Sequence, residues 1–288
     1  MTESIHPGLY VHVPFCKTKC PYCDFYSETS LSSIPAWLEA IKSEMRLYKD
    51  RFSRFDSLYV GGGTPSLLSE NALSDLVQSL RSAFSIAHAT EFTVEMNPDD
   101  VTADQVALLR DLGVNRVSLG VQSFEDRDLR FLKRRHTADQ AVRAIDLIMG
   151  SGFAKLGLDL MYGLAGQTES SWMKTLQQAA SLRPEHLSCY QLTIHESTPF
   201  WELQVKGEIN PLTEEEESGL FLLTSSFLRE QGYLHYEVSN FARGEDNRCR
   251  HNLKYWKRAP YLGLGPSAHS HRDDVRWWNV RDLDAYCH

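Results

Sequence analysis

Cys16, Cys20 and Cys23 fall within "CKTKCPYC", and they are half of the chain's six cysteines. Three thiols are one short of the four ligands that a closed tetrahedral zinc site needs. His12, four residues before Cys16, is a possible fourth, although it alternates with Val11 and Val13 as a strand residue does. The other candidate is an iron–sulfur cluster, in which each thiolate takes one iron and three thiolates leave one iron open. Spacing alone keeps both open and favours the cluster.

Other residues suited to chemistry recur at one position in a repeated pattern. "GGGTP" (61–65) follows a short apolar run, and three residues without Cβ permit close backbone approach. The run lacks the Lys of a phosphate-binding P-loop and the Gly-x-Gly-x-x-Gly fingerprint of dinucleotide sites. Glu95 closes the next run, Gln122 follows the fourth, Asp159 lies near the end of the fifth and Thr193 ends the sixth.

The elements that must position these residues are legible as alternating patterns. Apolar, β-rich runs at 8–13, 56–62, 91–96, 114–120, 154–160 and 186–193 suit parallel strands covered on both faces. Between them lie helical patterns. Trp37, Leu38, Ile41 and Met45 are spaced on one helix face, as are Leu73, Leu76, Val77 and Leu80. Thr102/Gln105, Thr137/Gln140 and Thr213/Glu216 read as capping boxes, and a helix over 170–182 stops before Pro184. Six strand–helix units predict an α/β fold: a partial (β/α)6 TIM-like barrel of parallel strands with a C-terminal extension. An open doubly wound sheet is the alternative. Either fold gathers the strand ends, and so the candidate residues, on one rim. After Gly232 the pattern breaks into extended pieces and loops. Residues 1–232 therefore read as the barrel domain and 233–288 as the extension.

Composition limits the function. The chain has 288 residues, 42% of them hydrophobic, and a formal net charge of -8. That charge disfavours a phosphate-tracking nucleic-acid binder and, with it, an RNA-modifying enzyme. The first ten residues carry no secretory leader, and no apolar stretch is long enough for a transmembrane segment. The expected location is cytoplasmic, where clustered cysteines mean metal or catalysis rather than disulfides.

"CKTKCPYC" matches the Cys-x-x-x-Cys-x-x-Cys signature of the radical S-adenosylmethionine (radical SAM) proteins. "YVHVPFC", "GGGTPS", "VEMNPD", "LGVQSF", "LDLMYGLAGQT" and "YQLTIHESTP" resemble, in order, blocks of the oxygen-independent coproporphyrinogen III oxidase family. The resemblance implies a [4Fe-4S] cluster on Cys16, Cys20 and Cys23, with S-adenosylmethionine (SAM) on the open iron. An electron donor would then drive cleavage to methionine and a 5′-deoxyadenosyl radical. It also implies SAM contacts from Tyr10, Tyr22, Gly62, Gly63, Thr64, Glu95, Gln122, Arg134, Asp159 and Thr193. Arg134 suits bidentate pairing with the SAM carboxylate. Read by itself, "KRRH" (133–136) fits a solvated charge cluster equally well.

Two departures point away from the oxidases. Phe25 stands where they carry a further cysteine, and "HNLKYW" (251–256) is similar to a motif of the family's heme-chaperone branch. That likeness implies heme bound through His251, with Tyr255 and Trp256 as an aromatic wall if the segment is helical. It implies heme-accepting proteins as partners. Relatives continue into a small C-terminal domain, so residues 233–288 read as the start of a truncated one. Trp277 and Trp278 would then pack on the rest of that domain.

Overall fold

The computed structural model describes residues 6–52 and 54–288. Six parallel strands form its centre: β1 (Gly8–Val13), β2 (Arg54–Gly62), β3 (Ser85–Met96), β4 (Arg116–Gln122), β5 (Lys155–Tyr162) and β6 (His186–Gln191). They lie side by side in chain order. Sequential order with right-handed crossovers puts the connecting helices on one face, which is barrel winding and excludes the doubly wound alternative. Those helices are α1 (Ile34–Tyr48), α2 (Glu70–Ala83), α3 (Ala103–Asp111), α4 (Asp126–Phe131), α5 (Ala138–Gly150), α6 (Glu169–Ser181), α7 (Pro199–Val205) and α8 (Glu214–Glu230). The short α4 and α7 have too few turns to show a period in the sequence.

Local chemistry sets the helix starts. Capping boxes close α5 through Thr137 and Gln140, and α8 through Thr213 and Glu216. At α3 the expected box is half formed. Thr102 accepts from the Gln105 backbone N–H, but the Gln105 side chain returns no bond to the Thr102 N–H.

The six strands are less uniform than a continuous apolar run. On β1, Leu9, Val11 and Val13 face the helices and are fully buried. Gly8, Tyr10 and His12 face the inside of the curved sheet, where they meet His251, Tyr59 and Gly62. Ser57, Thr93, Arg116, Ser118, His186 and Ser188 are likewise buried. The inner face is polar, and burying it requires that these groups bond one another.

Residues 233–288 join both edges of the same sheet. β8 (Asn240–Ala242) adds antiparallel to β6, and β7 (Leu234–His235) pairs antiparallel with β8 at the edge. α9 (Arg250–Trp256) then crosses to the beginnings of β1 and β2. β9 (Tyr261–Leu264) pairs parallel with β1, and the hairpin of β10 (His269–Arg272) and β11 (Val275–Trp278) extends that edge. α10 (Leu283–Cys287) packs back on α1. The resulting sheet has 11 strands. The two tryptophans divide. Trp277 stacks on Tyr48 and donates its indole N–H to the Tyr48 hydroxyl at 3.0 Å, whereas Trp278 is 66% exposed. Trp277 is therefore seated within the chain itself.

Candidate functional site

The cysteine loop leaves β1 and is fixed by its backbone. Cys16 N–H donates to Glu28 O at 2.9 Å, and Glu28 N–H to Pro14 O at 2.7 Å. Phe15 is fully buried edge-on against Trp37. All six cysteines are free, and Cys16, Cys20 and Cys23 are half-buried.

Two of these thiols are tied to one polar chain. The Thr64 hydroxyl reaches Cys16 Sγ at 3.6 Å, and Asn97 Nδ2 donates to Thr64 Oγ1 at 3.1 Å. Arg134 donates to Asn97 Oδ1 and to Gly120 O, and its Nη1 lies 3.7 Å from Cys20 Sγ. The "KRRH" cluster thus splits. Lys133 is exposed and Arg135 pairs with Asp99 and Asp100, while Arg134 turns inward with its Nε buried and unpartnered. Asn97 is a site residue that motif spacing does not single out. Its only signal is its place in "NPDD", two residues past Glu95.

The donor set fits a thiolate-bound cluster. Burial, with some repulsion from Cys20 and Cys16, pushes the Cys23 thiol up to about 11, against an opposing hydrogen bond from the Phe25 backbone. A bound cation is what makes such a group give up its proton. His12 is not available as a fourth ligand. Its Nδ1 accepts from the Tyr10 hydroxyl at 3.0 Å, and its Nε2 lies 2.8 Å from Tyr26 O. Among the described residues no three His, Cys, Asp or Glu side chains enclose a single ion. A cubane does not ask for that convergence, because each thiolate takes a separate iron.

The glycine run is explained by its own neighbours. A Cβ on Gly61 would lie 2.8 Å from the Glu95 carboxyl carbon. One on Gly62, whose φ is +109°, would strike the His12 ring at 2.5 Å. One on Gly63 would meet Phe15 O at 2.6 Å, where Gly63 N–H already donates to Val13 O and Thr64 N–H to Phe15 O. The missing side chains let β2 press against β1 and β3.

Two carboxylates lie inside the sheet. Glu95 accepts from the Tyr59 hydroxyl at 2.8 Å and from Gly62 N–H at 3.1 Å. Burial first, and then the Asp159 charge, raise it to about 7. Asp159 accepts from Ser118 at 3.1 Å and is raised by burial to about 6. Buried carboxylates raised this far stay partly protonated until a cation arrives. Gln122 sits at the end of β4 with φ +66°, at a register shift against β5. Tyr22 packs on Phe200, and burial raises its hydroxyl. Thr193 does not end a strand. β6 stops at Gln191 and Thr193 lies exposed beyond it, so the structure gives it no contact with the group above.

His251 is in α9. It is buried beside the beginnings of β1 and β2, the strand ends opposite the cysteine loop. Its Nδ1 is 3.2 Å from Ser57 Oγ, its Nε2 is 2.9 Å from the Tyr255 hydroxyl, and its N–H donates to Glu91 at 3.0 Å. Burial, aided by Lys254, lowers its pKa to about 3, so the ring is neutral. Tyr255, four residues along the helix, contacts His251 and lines the same cleft. Trp256 is exposed and lies outside the cleft.

One cleft of about 850 Å³ gathers part of this set, while the three cysteines, Arg134 and Asp159 do not line it. Gly62, Glu95, Tyr10 and Tyr59 line its inner end, and His251, Tyr255, Tyr261, His271 and Arg276 continue along one wall. Phe25, at the position where the oxidases have a cysteine, lines it with its ring 70% exposed. Among the described residues no helix is long and apolar enough to cross a membrane.

Comparison with known proteins agrees with this geometry. Residues 10–179 match the Radical SAM superfamily. The chain is 35% identical to the heme chaperone HemW of Mycobacterium tuberculosis, over 97% of its own length and 73% of that protein. It is 38% identical to HemW of Escherichia coli, over 91% and 69%. Its fold superposes with a TM-score of 0.83 on coproporphyrinogen III oxidase (HemN) of Escherichia coli, a radical SAM enzyme, at 27% identity over 97% of this chain and 68% of that one. Matches of this extent show kinship, and the chain belongs to the radical SAM superfamily and, within it, to the family of the heme chaperone HemW.

Proposed function

We propose that this chain is a heme chaperone: it binds heme, a [4Fe-4S] cluster and SAM, and passes heme to acceptor proteins in the cytoplasm. The observation that carries the reading is the cleft of about 850 Å³, in which Gly62 and Glu95 of the strand-end rim share one lining with the aromatic residues Tyr10, Tyr59, Tyr255 and Tyr261. In this reading Cys16, Cys20 and Cys23 hold the cluster. Glu95, Asp159, Arg134 and the backbone near Gly62, Gly63 and Thr64 bind SAM, with Tyr10, Tyr22 and Gln122 as further contacts. The bound pair supplies one-electron reduction of a sulfonium, driven by an electron donor.

The chain's own contribution is placement and charge. Arg134, with Nε unpartnered and Cys20 beside it, favours a thiolate and a ligand carboxylate. Glu95, raised to about 7, still holds part of its proton at neutral pH and releases it as a cationic ligand enters.

Anaerobic titration with hemin, followed by transfer to an apo-hemoprotein, is the test. Stoichiometric binding and release are expected. Failure to bind hemin in the cluster-loaded protein overturns the reading. The second reading is oxygen-independent coproporphyrinogen III decarboxylation, favoured by the HemN-like fold. Phe25 argues against it, and decarboxylated product from the same anaerobic preparation would establish it.

A further inference from the structure

Four imidazoles line the cleft: His12, His251, His269 and His271. A heme iron needs a ring nitrogen with a free lone pair aimed at open space. Both nitrogens of His12 are taken, by Tyr10 and Tyr26. Both nitrogens of His251 are taken, by Ser57 and Tyr255, and the residue is 1% exposed. Iron could reach its Nε2 only by displacing the Tyr255 hydroxyl. His269 faces Trp278 across the hairpin, and its Nδ1, although without a partner, is buried and so does not face open space.

His271 differs from all three. Its Nδ1 lies 3.4 Å from Ala259 O, the contact that fixes a proton on Nδ1 and leaves the lone pair on Nε2. Its ring stacks on Tyr261 at 6.0 Å and 28°. Directly opposed residues of a hairpin share a face. Arg276 is opposite His271, and Tyr261 pairs with His271 on the other side. Imidazole, phenol and guanidinium therefore stand in one row across three strands, and all three line the cleft.

We infer that His271, on the β10–β11 hairpin, is the side chain that coordinates heme iron, and that Arg276 beside it receives a propionate. The inference rests on the heme-chaperone reading. The row matches the ligand's chemistry: a metal for imidazole, a flat apolar ring for Tyr261 and Tyr255, and a carboxylate for guanidinium. His251 is then a positioning residue. It connects to the row through Tyr255 and Tyr261, with ring centroids 5.4 Å and then 4.8 Å apart. Its role is to hold Tyr255 as the floor against which the macrocycle lies.

The test is a hemin titration of wild type, His271→Ala, His271→Gly and His251→Ala, read by the Soret band and by the electron paramagnetic resonance of the ferric complex. His271→Ala should lose the imidazole-ligated spectrum and bind ~10–100-fold more weakly. Added imidazole should restore that spectrum in His271→Gly. His251→Ala should bind more weakly and keep it. Loss of ligation in His251→Ala with retention in His271→Ala overturns the assignment, as does retention in both. If wild type binds hemin but shows no imidazole ligation, the assignment falls and the chaperone reading stands. If wild type binds no hemin, both are withdrawn.

Discussion

The Tyr59 hydroxyl donates to Glu95 Oε1 across 2.8 Å at the inner end of the cleft, and it is the only side-chain donor on that carboxylate among the described residues. Glu95 nevertheless sits at about 7, because burial and the nearby Asp159 outweigh the hydrogen bonds. The folded protein therefore keeps a proton that the unfolded chain releases above about 4.5. This contribution to stability is full below that pH and is lost as pH rises through about 7. Asp159, raised to about 6, acts with the same sign. Glu95→Gln should flatten the fall in Tm across this window, and Tyr59→Phe should deepen it. A pH-independent difference between Glu95→Gln and wild type would refute the assignment. SAM affinity should weaken as the pH drops below about 7, measurable by calorimetry.

Asn97 joins Arg134 to Thr64, and through them the two halves of the cysteine loop. Asn97→Ala removes an acceptor from a buried guanidinium, at a cost of ~1.5–3 kcal/mol. A Tm lower by several degrees and faster iron loss to a chelator are expected. Asn97→Asp keeps the Arg134 contact and loses the donor to Thr64, so it should fall between. Equal iron release rates in all three proteins would show that this chain of bonds does not support the loop.

Cys16→Ser, Cys20→Ser and Cys23→Ser should each abolish stoichiometric iron and labile sulfide after anaerobic reconstitution. His12→Ala should retain both, because neither ring nitrogen of His12 is free. Zinc without sulfide in wild type, or iron loss in His12→Ala, points to a mononuclear site instead.

Glu44 of α1 anchors the end of the chain. Its carboxylate accepts from Gly265 N–H at 2.9 Å, Asn279 Nδ2 at 2.7 Å and the Tyr286 hydroxyl at 2.5 Å. Glu44→Ala leaves these donors without their acceptor inside the protein, costing on the order of 3 kcal/mol. Limited proteolysis should then cut within residues 265–288 first. An unchanged cleavage pattern would mean that α10 is held by apolar packing alone.

The sequence by itself determined the six parallel strands, most of their helices and the rim that carries the cysteines, Glu95, Gln122 and Asp159. These are local facts: an apolar run, a Thr with Glu or Gln three residues on, a strand end with its loop. Only the tertiary structure decided what the inner face of the sheet does. Tyr59 and Ser118 show no role until β2, β3, β4 and β5 lie side by side. Asn97 matters only because Thr64 and Arg134 arrive beside it. The break in periodicity after Gly232 concealed β9 beside β1, a pairing of residues about 250 positions apart, and with it the placement of His251 and His271. Such contacts leave no period in the chain, because they depend on which edges meet rather than on which residues are neighbours in sequence.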